Sequence, residues 1–354
     1  PTDCEKRGAR TWRNEATSNR YREIAPWNSP GASAGQSPTE SKRVRATGLS
    51  GAPPSSQHDQ AGGYPDRVQL TASAPHGLTG QLRIWLNGQL YDNPHQATVA
   101  GTDHGLVVGD GVFDTLKVTE RGAFAVRRHL NRLNRSAAAL GLPGPDHGQI
   151  REGIDAVLDG RDFPRGKLRI TYTGGRGPLG SEAAYGPPTV IIMLAPVDAS
   201  ARLTSIVTAP WTRNEQGALA GVKSTSYAEN VRGLGYAANH DASEAIFLNT
   251  AGHVCEGTGT NVFMVFGDTV VTPPLSAGPL AGITRELIME WTPVAERDLT
   301  LKEAQQADEV FLTSSMRDIQ GVERWDDQVF GPVRAVTQAL AATFAARFET
   351  DLDP

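Results

Sequence analysis

The pattern of apolar and polar positions changes abruptly at Leu82. Before it, stretches such as SPGASAGQSPTESKRVRATGLSGAPPSSQHDQAGG carry Ser, Pro, Gly and Gln without hydrophobic periodicity. Such a segment buries too little surface to offset the entropy of ordering it, so residues 1–81 are expected to be a disordered low-complexity extension. Lys6, Arg7, Arg10 and Arg13 lie close together near its start, and a basic docking tail is the alternative. From Leu82 the chain turns periodic. LRIWLNGQLYD alternates around Asn87 and Gly88 as a hairpin does. A glycine-bearing loop then leads to a strand over Val112–Val118, a turn at Arg121 and Gly122, a helix from about Arg128 to Gly141 and a second helix over His147–Leu158. KLRITYTGG and TVIIMLAPV read as strands on either side of a Gly- and Pro-rich loop.

The second half repeats neither motif nor spacing. It reads as a strand in TSIVTAPWTRNE, a helix over Tyr227–Ala238, strands at Ala245–Asn249, NVFMVFG and TVVTPP, and a helix whose first turn is Gly282, Ile283 and Thr284. A short helix over Leu301–Gln306, a strand in DEVFLTSS and an amphipathic helix in VRAVTQALAATFAARF complete it. This order predicts an α/β (α+β) protein with a small α/β domain over 82–197, a linker over 198–203 and a larger domain over 204–354.

Composition narrows the function. A net charge of −5 and the lack of an aromatic-interleaved basic stripe in the second half argue against a nucleic-acid partner. The two cysteines, Cys4 and Cys255, are too few and too isolated for a disulfide framework or a metal site, which fits a reducing compartment; Cys255 reads as a small buried hydrophobe. No apolar run approaches a membrane span and the start of the chain lacks the apolar segment of a secretory signal, so a cytoplasmic protein with no membrane partner is expected.

Chemistry concentrates between Ala220 and Phe263, AGVKSTSYAENVRGLGYAANHDASEAIFLNTAGHVCEGTGTNVF. One lysine, Lys223, precedes one acid, Glu256, at the head of a glycine-rich turn, and the helix and strand between them can bring the two to opposite ends of one cavity. A lysine forms a Schiff base with pyridoxal 5'-phosphate and an acid pairs with its pyridine nitrogen, so this cofactor is the expected organiser of the chain. Each residue alone has an ordinary alternative. Lys223 could be a solvated loop lysine, although the small apolar Ala220-Gly221-Val222 before it favours a desolvated, neutral amine. Glu256 could be a surface acid or a cap. Free N–H groups at Gly282, Ile283 and Thr284 suit an anion, yet ordinary N-capping by Thr284 explains the same residues. Ser314 and Ser315 could simply form a turn. Arg127, Arg128, Arg132 and Arg135 read as a solvated helix face, and a phosphate needs only one of them to point inward. The Gly109–Gly111 loop, GDGVFD, lacks the third glycine and the following helix of a nucleotide-binding turn.

Six stretches taken together, HGLVVGDGVFDTLKV, RHLNRL, GVKSTSYAEN, EAIFLNTAGHVCEGTGTNVF, TPPLSAGPLAGITRE and ADEVFLTSS, resemble the class IV, fold-type IV pyridoxal-phosphate enzymes: branched-chain aminotransferases, D-amino-acid aminotransferases and 4-amino-4-deoxychorismate lyases. The resemblance runs from Leu82 to about Phe348. It implies a small α/β domain, a larger domain with a barrel-like β core, the cofactor between them, and a homodimer. It makes Lys223 the Schiff-base lysine, Glu256 the partner of the pyridine nitrogen and Arg132 the phosphate-binding arginine, with Ile283, Thr284 and Ser315 completing the cup. Tyr227 stands one residue closer to the lysine than the tyrosine of branched-chain enzymes and is kept as a possible cofactor contact.

Within the family, Thr115 stands where branched-chain enzymes carry a glycine and is similar to the threonine of the lyases, where a hydroxyl could assist proton transfer; a β-branched strand residue is the plain alternative. Arg176, or Arg169 on the preceding strand, is the candidate for the substrate carboxylate, and either could instead make a structural ion pair. The resemblance thus points to a lyase converting 4-amino-4-deoxychorismate to 4-aminobenzoate and pyruvate, with a transaminase of branched-chain or D-amino acids as the alternative.

Overall fold

The computed structural model describes residues 82–354 apart from Asp92; the extension expected over 1–81 lies outside the described residues. Strands β1 (Arg83–Leu86) and β2 (Gln89–Tyr91) form the expected hairpin, turning through Asn87 and Gly88 at φ 48° and 96°, values that asparagine and glycine tolerate. A single turn, α1 (His104–Val107), precedes β3 (Gly111–Thr119) and β4 (Gly122–Ala123), then α2 (Val126–Ala139), α3 (His147–Leu158), β5 (Gly166–Thr173) and β6 (Thr189–Pro196). The six strands make one antiparallel sheet in the order β2-β1-β6-β5-β3-β4.

Side chains alternate across a strand, and β3 uses both of its faces. Val112, Leu116 and Val118 join Leu130 and Leu133 of α2, Ile150 and Ile154 of α3, and Leu168 and Ile170 of β5 in one buried cluster. Phe113 and Thr115 face the other way and line a cavity. The register pairs Thr115 with Arg169 and Phe113 with Thr171, so Arg169 opens on the same face as Thr115.

The remaining strands are β7 (Leu203–Thr208), β8 (Glu244–Leu248), β9 (Val254–Gly257), β10 (Asn261–Phe266), β11 (Thr269–Thr272), β12 (Ala295–Glu296), β13 (Glu309–Ser314), β14 (Asp318–Trp325) and β15 (Gln328–Val329). They form a second, mixed sheet in the order β12-β11-β10-β13-β14-β7-β8-β9, with β15 paired to β14. Both sheets are curled. Helices α4 (Ala228–Ala238), α5 (Ile283–Trp291), α6 (Leu301–Gln305) and α7 (Ala335–Thr350) connect or cover these strands. Phe124 and Ala125, from the turn after β4, pack with Ile283 and Leu287 of α5, Phe344 and Phe348 of α7, and Phe263 and Phe311 of the second sheet.

Most differences from the sequence reading fall at element ends and in the shortest pieces, but the eight-residue strand β14 has no counterpart in it. Helix α2 starts at Val126 rather than near Arg128 because distant chain supplies its cap: the Ala125 N–H donates to Leu352 O (2.8 Å) and the Arg127 N–H to Asp353 Oδ1 (2.8 Å). Strand β8 is shifted one residue earlier than the expected Ala245–Asn249. The one-turn α1 and the two-residue strands β4, β12 and β15 are too short to leave a period in the sequence. No helix among the described residues is long and apolar enough to cross a membrane.

Candidate active site

Lys223 lines a cavity of about 890 Å³. Its backbone is pinned to β3 on both sides: the Phe113 N–H donates to Lys223 O (2.9 Å) and the Thr225 N–H to Gly111 O (2.7 Å), while the Lys223 N–H reaches Ser136 Oγ on α2 (3.3 Å). The glycines set aside as a nucleotide loop serve this docking. Gly109 has φ 72°, and a Cβ there would run into Ser226 Oγ; Thr225 Oγ1 donates to Gly109 O (3.0 Å). The Lys223 amine lies 4.6 Å from the centre of the Phe113 ring. Burial and the nearby Arg132 charge push it down to about 8, against the opposing pull of Asp114 and Glu256. The amine is therefore more easily deprotonated near neutral pH than an ordinary lysine.

At one end of the cavity Arg132 is held by Asp114. Nε donates to Asp114 Oδ2 (3.1 Å) and Nη2 to Oδ1 (2.6 Å), a bidentate pair in which the acid is fully buried. Burial alone would raise the Asp114 carboxyl, but Arg132 and His129 together hold it well below the usual carboxylate range. Of the four arginines noted on this helix only Arg132 is buried. Arg128 pairs with Glu290 (2.7 Å), Arg135 lies 3.8 Å from Glu286, and Arg127 meets Asp353. Helix α5 begins at the same end of the cavity. Its N-cap, Gly282, has no side chain to occupy the first N–H groups, and a Cβ there would collide with Asn261 Oδ1. Thus Gly282, Ile283, Thr284, Arg132 and Ser315 all line the cavity.

Glu256 closes the other end from β9. Arg213 Nη1 donates to Glu256 Oε1 (2.6 Å) and the Leu280 N–H to Oε2 (2.9 Å). Burial raises this carboxyl; Arg213 and the Leu280 N–H pull against that. An acid so placed gains from one more cation on its cavity side. Arg213 is itself fixed by Glu229 (3.0 Å) and Asn230 Oδ1 (3.1 Å) and lies 4.2 Å over the Phe247 ring. The two ends are tied together through adjacent residues, since Arg132 Nη1 donates to Ala281 O (3.1 Å) while Glu256 accepts from Leu280. Tyr227 lines the cavity too, with its hydroxyl donating to Thr258 O (3.1 Å).

On the open side stand Thr115, Arg169 and Lys167. Arg169 Nε donates to Thr171 Oγ1 (3.1 Å) and its guanidinium lies 3.7 Å over the Phe113 ring, with no carboxylate in ion-pair reach among the described residues. Arg176, the other candidate for a substrate carboxylate, does not line the cavity. The chain turns at Gly175, φ 77°, and leaves Arg176 exposed, its carbonyl accepting from the Tyr185 and Gly186 N–H groups. Sequence reasoning missed Asp114, His129 and Arg213; each is a single polar residue whose partner lies far along the chain or on another element. Among the described residues no group of His, Cys, Asp and Glu suits a metal ion.

Comparison with known proteins places the chain among related enzymes. The profile described as "Amino-transferase class IV" matches residues 111–325. A Methanocaldococcus jannaschii protein named "Putative branched-chain-amino-acid aminotransferase" is 32% identical over 74% of this chain and 95% of its own length. The aminodeoxychorismate lyase of Bacillus subtilis is 29% identical over 67% of this chain and 84% of its own. Among solved structures, the pyridoxal-phosphate-bound form of a hypothetical aminotransferase from Mycobacterium tuberculosis has a TM-score of 0.67 and 27% identity, covering 76% of this chain and 99% of that one.

The cofactor is pyridoxal 5'-phosphate, and the cavity fits it on its own chemistry. One end offers a fixed guanidinium, uncapped helix N–H groups and hydroxyls to a phosphate; the other offers a buried acid to a pyridinium nitrogen; a desolvated lysine lines the space between.

Proposed function

Given that the chain belongs to the class IV aminotransferase family, we propose that it is a lyase converting 4-amino-4-deoxychorismate to 4-aminobenzoate and pyruvate. The observation that carries this reading is the placement of Thr115 and Arg169 as cross-strand partners lining the Lys223 cavity. Bound pyridoxal phosphate supplies the sink for the electron pair left on a substrate carbon when its proton departs. The chain supplies the rest. The neutral fraction of Lys223 takes the proton from the amine-bearing ring carbon. Arg169, half-buried and without an acid partner among the described residues, holds a substrate carboxylate. Thr115 offers its hydroxyl to the departing enolpyruvate oxygen. The proton lost from carbon is balanced by the one gained by the leaving group, and the ring becomes aromatic.

Transamination of branched-chain or D-amino acids is the second reading, favoured by the name of the Methanocaldococcus relative. It uses the same lysine and leaves Thr115 without a task. The two separate on supplying aminodeoxychorismate in one assay, and an amino acid with 2-oxoglutarate in another. Aminobenzoate formation is expected from the wild type, reduced roughly 10²- to 10⁴-fold in Thr115→Ala and retained in Thr115→Ser. Glutamate formation without any aminobenzoate would overturn the lyase reading.

A further inference from the structure

Beneath the phosphate end lies a histidine that the proposed reaction does not use. His129 is 1% exposed and sits one helical turn before Arg132 on α2. Its Nδ1 is 2.5 Å from Asp114 Oδ1, and its Nε2 is 3.5 Å from Ser315 Oγ in the turn after β13. The charged groups facing the ring are Asp114 from β3, Arg132 from α2 itself and Lys223 from the segment docked on β3.

Asp114 is ionised and can only accept, so Nδ1 carries a hydrogen and the protonation of Nε2 is the single variable. With Nε2 bare, Ser315 donates to it and turns lone pairs toward the cavity, the wrong polarity for an anion. With Nε2 protonated, the ring donates to Ser315 Oγ and frees the serine hydrogen for the cavity. Burial favours the neutral ring in the absence of an anion. A dianion beside Arg132 and Ser315 favours the protonated one.

We propose that anion binding in the cup formed by Arg132, Thr284 and Ser315 draws one proton onto His129, which reverses the Ser315 hydrogen bond so that serine donates to the anion. His129 is thus a positioning residue for the cofactor phosphate. The inference rests on the cofactor reading of this cavity.

The test titrates the cofactor-free full chain with pyridoxamine 5'-phosphate, which carries the phosphate but no aldehyde to react with Lys223, by calorimetry in buffers of different ionisation enthalpy. At pH 7.5 the wild type is expected to take up close to one proton more than His129→Gln, whose amide donates to Ser315 at any pH. Ser315→Ala, which removes the hydroxyl between ring and anion, is expected to lose most of that excess. The bound state raises the affinity of His129 for its proton. Relative to His129→Gln, wild-type affinity is therefore greatest at low pH and falls about tenfold per unit as pH rises between the free and bound titration points of the ring. Equal proton counts in wild type and His129→Gln, or an undiminished excess in Ser315→Ala, overturn the inference while leaving the cofactor site intact. A wild type that does not bind pyridoxamine phosphate overturns both.

Discussion

Lys223 owes its state to desolvation beside Arg132, and that state has a pH signature. Only the neutral amine attacks an aldehyde. The rate at which the cofactor-free protein captures pyridoxal phosphate is expected to rise about tenfold per pH unit below about 8 and to level off above it, followed by rapid-mixing absorbance. A rate that keeps rising about tenfold per unit from pH 8 to pH 10 contradicts a desolvated lysine. Arg213 holds two acids at once. Arg213→Met strands Glu256 and Glu229 without their cation and is expected to destabilise the chain by about 3 kcal/mol in denaturant unfolding. Arg213→Lys should rescue little of this, because an ammonium cannot serve Glu256, Glu229 and Asn230 at once. Lys223, Glu256, Arg132 and Thr284 were legible in the sequence because each sits in a stretch with a recognisable companion. Arg213 was not, since Glu256 lies 43 residues away and nothing local marks the pair. Asp114 was hidden by its strand, where one acid among valines and leucines reveals no partner.

Elements whose buried faces repeat were read correctly, and those fixed by a distant chain were not. The stripes Leu130, Leu133 and Ala137 on α2 and Ile150, Ile154 and Val157 on α3 give both helices away. The start of α2 depends on Leu352 and Asp353, more than 200 residues downstream. Asp353→Ala removes an acceptor from the first turn of α2 and is expected to cost about 1 kcal/mol in thermal unfolding. Gly153 shows the opposite limit. A Cβ at this position of α3 would lie 2.5 Å from Ile192 Cδ1 and 2.7 Å from Trp85 Cδ2, both in the packed core. Gly153→Ala is expected to lose about 1–3 kcal/mol to overpacking despite alanine's better helix propensity, and an unchanged or raised melting temperature would show that the α3 interface yields.

At the scale of the whole molecule, two curled sheets carry different halves of one site. The first supplies Thr115 and Arg169 and, through Asp114, fixes Arg132 on α2. The second supplies Glu256 and, in the turn after β13, Ser315. The segment at residues 280–284 touches both ends and sets the distance between them. Apart from β14, the order of the longer strands and helices along the chain was readable from periodicity, but the sheet order, in which β7 lies between β14 and β8, depends on long-range pairing that no local pattern encodes. The pairing of Lys223 with the cofactor is most directly tested by borohydride reduction of the protein with pyridoxal phosphate, followed by peptide mass mapping. One reduced cofactor is expected on the peptide containing Lys223, and none in Lys223→Ala. Labelling of other lysines at equal yield, or a Lys223 that stays unmodified, would contradict the site described above.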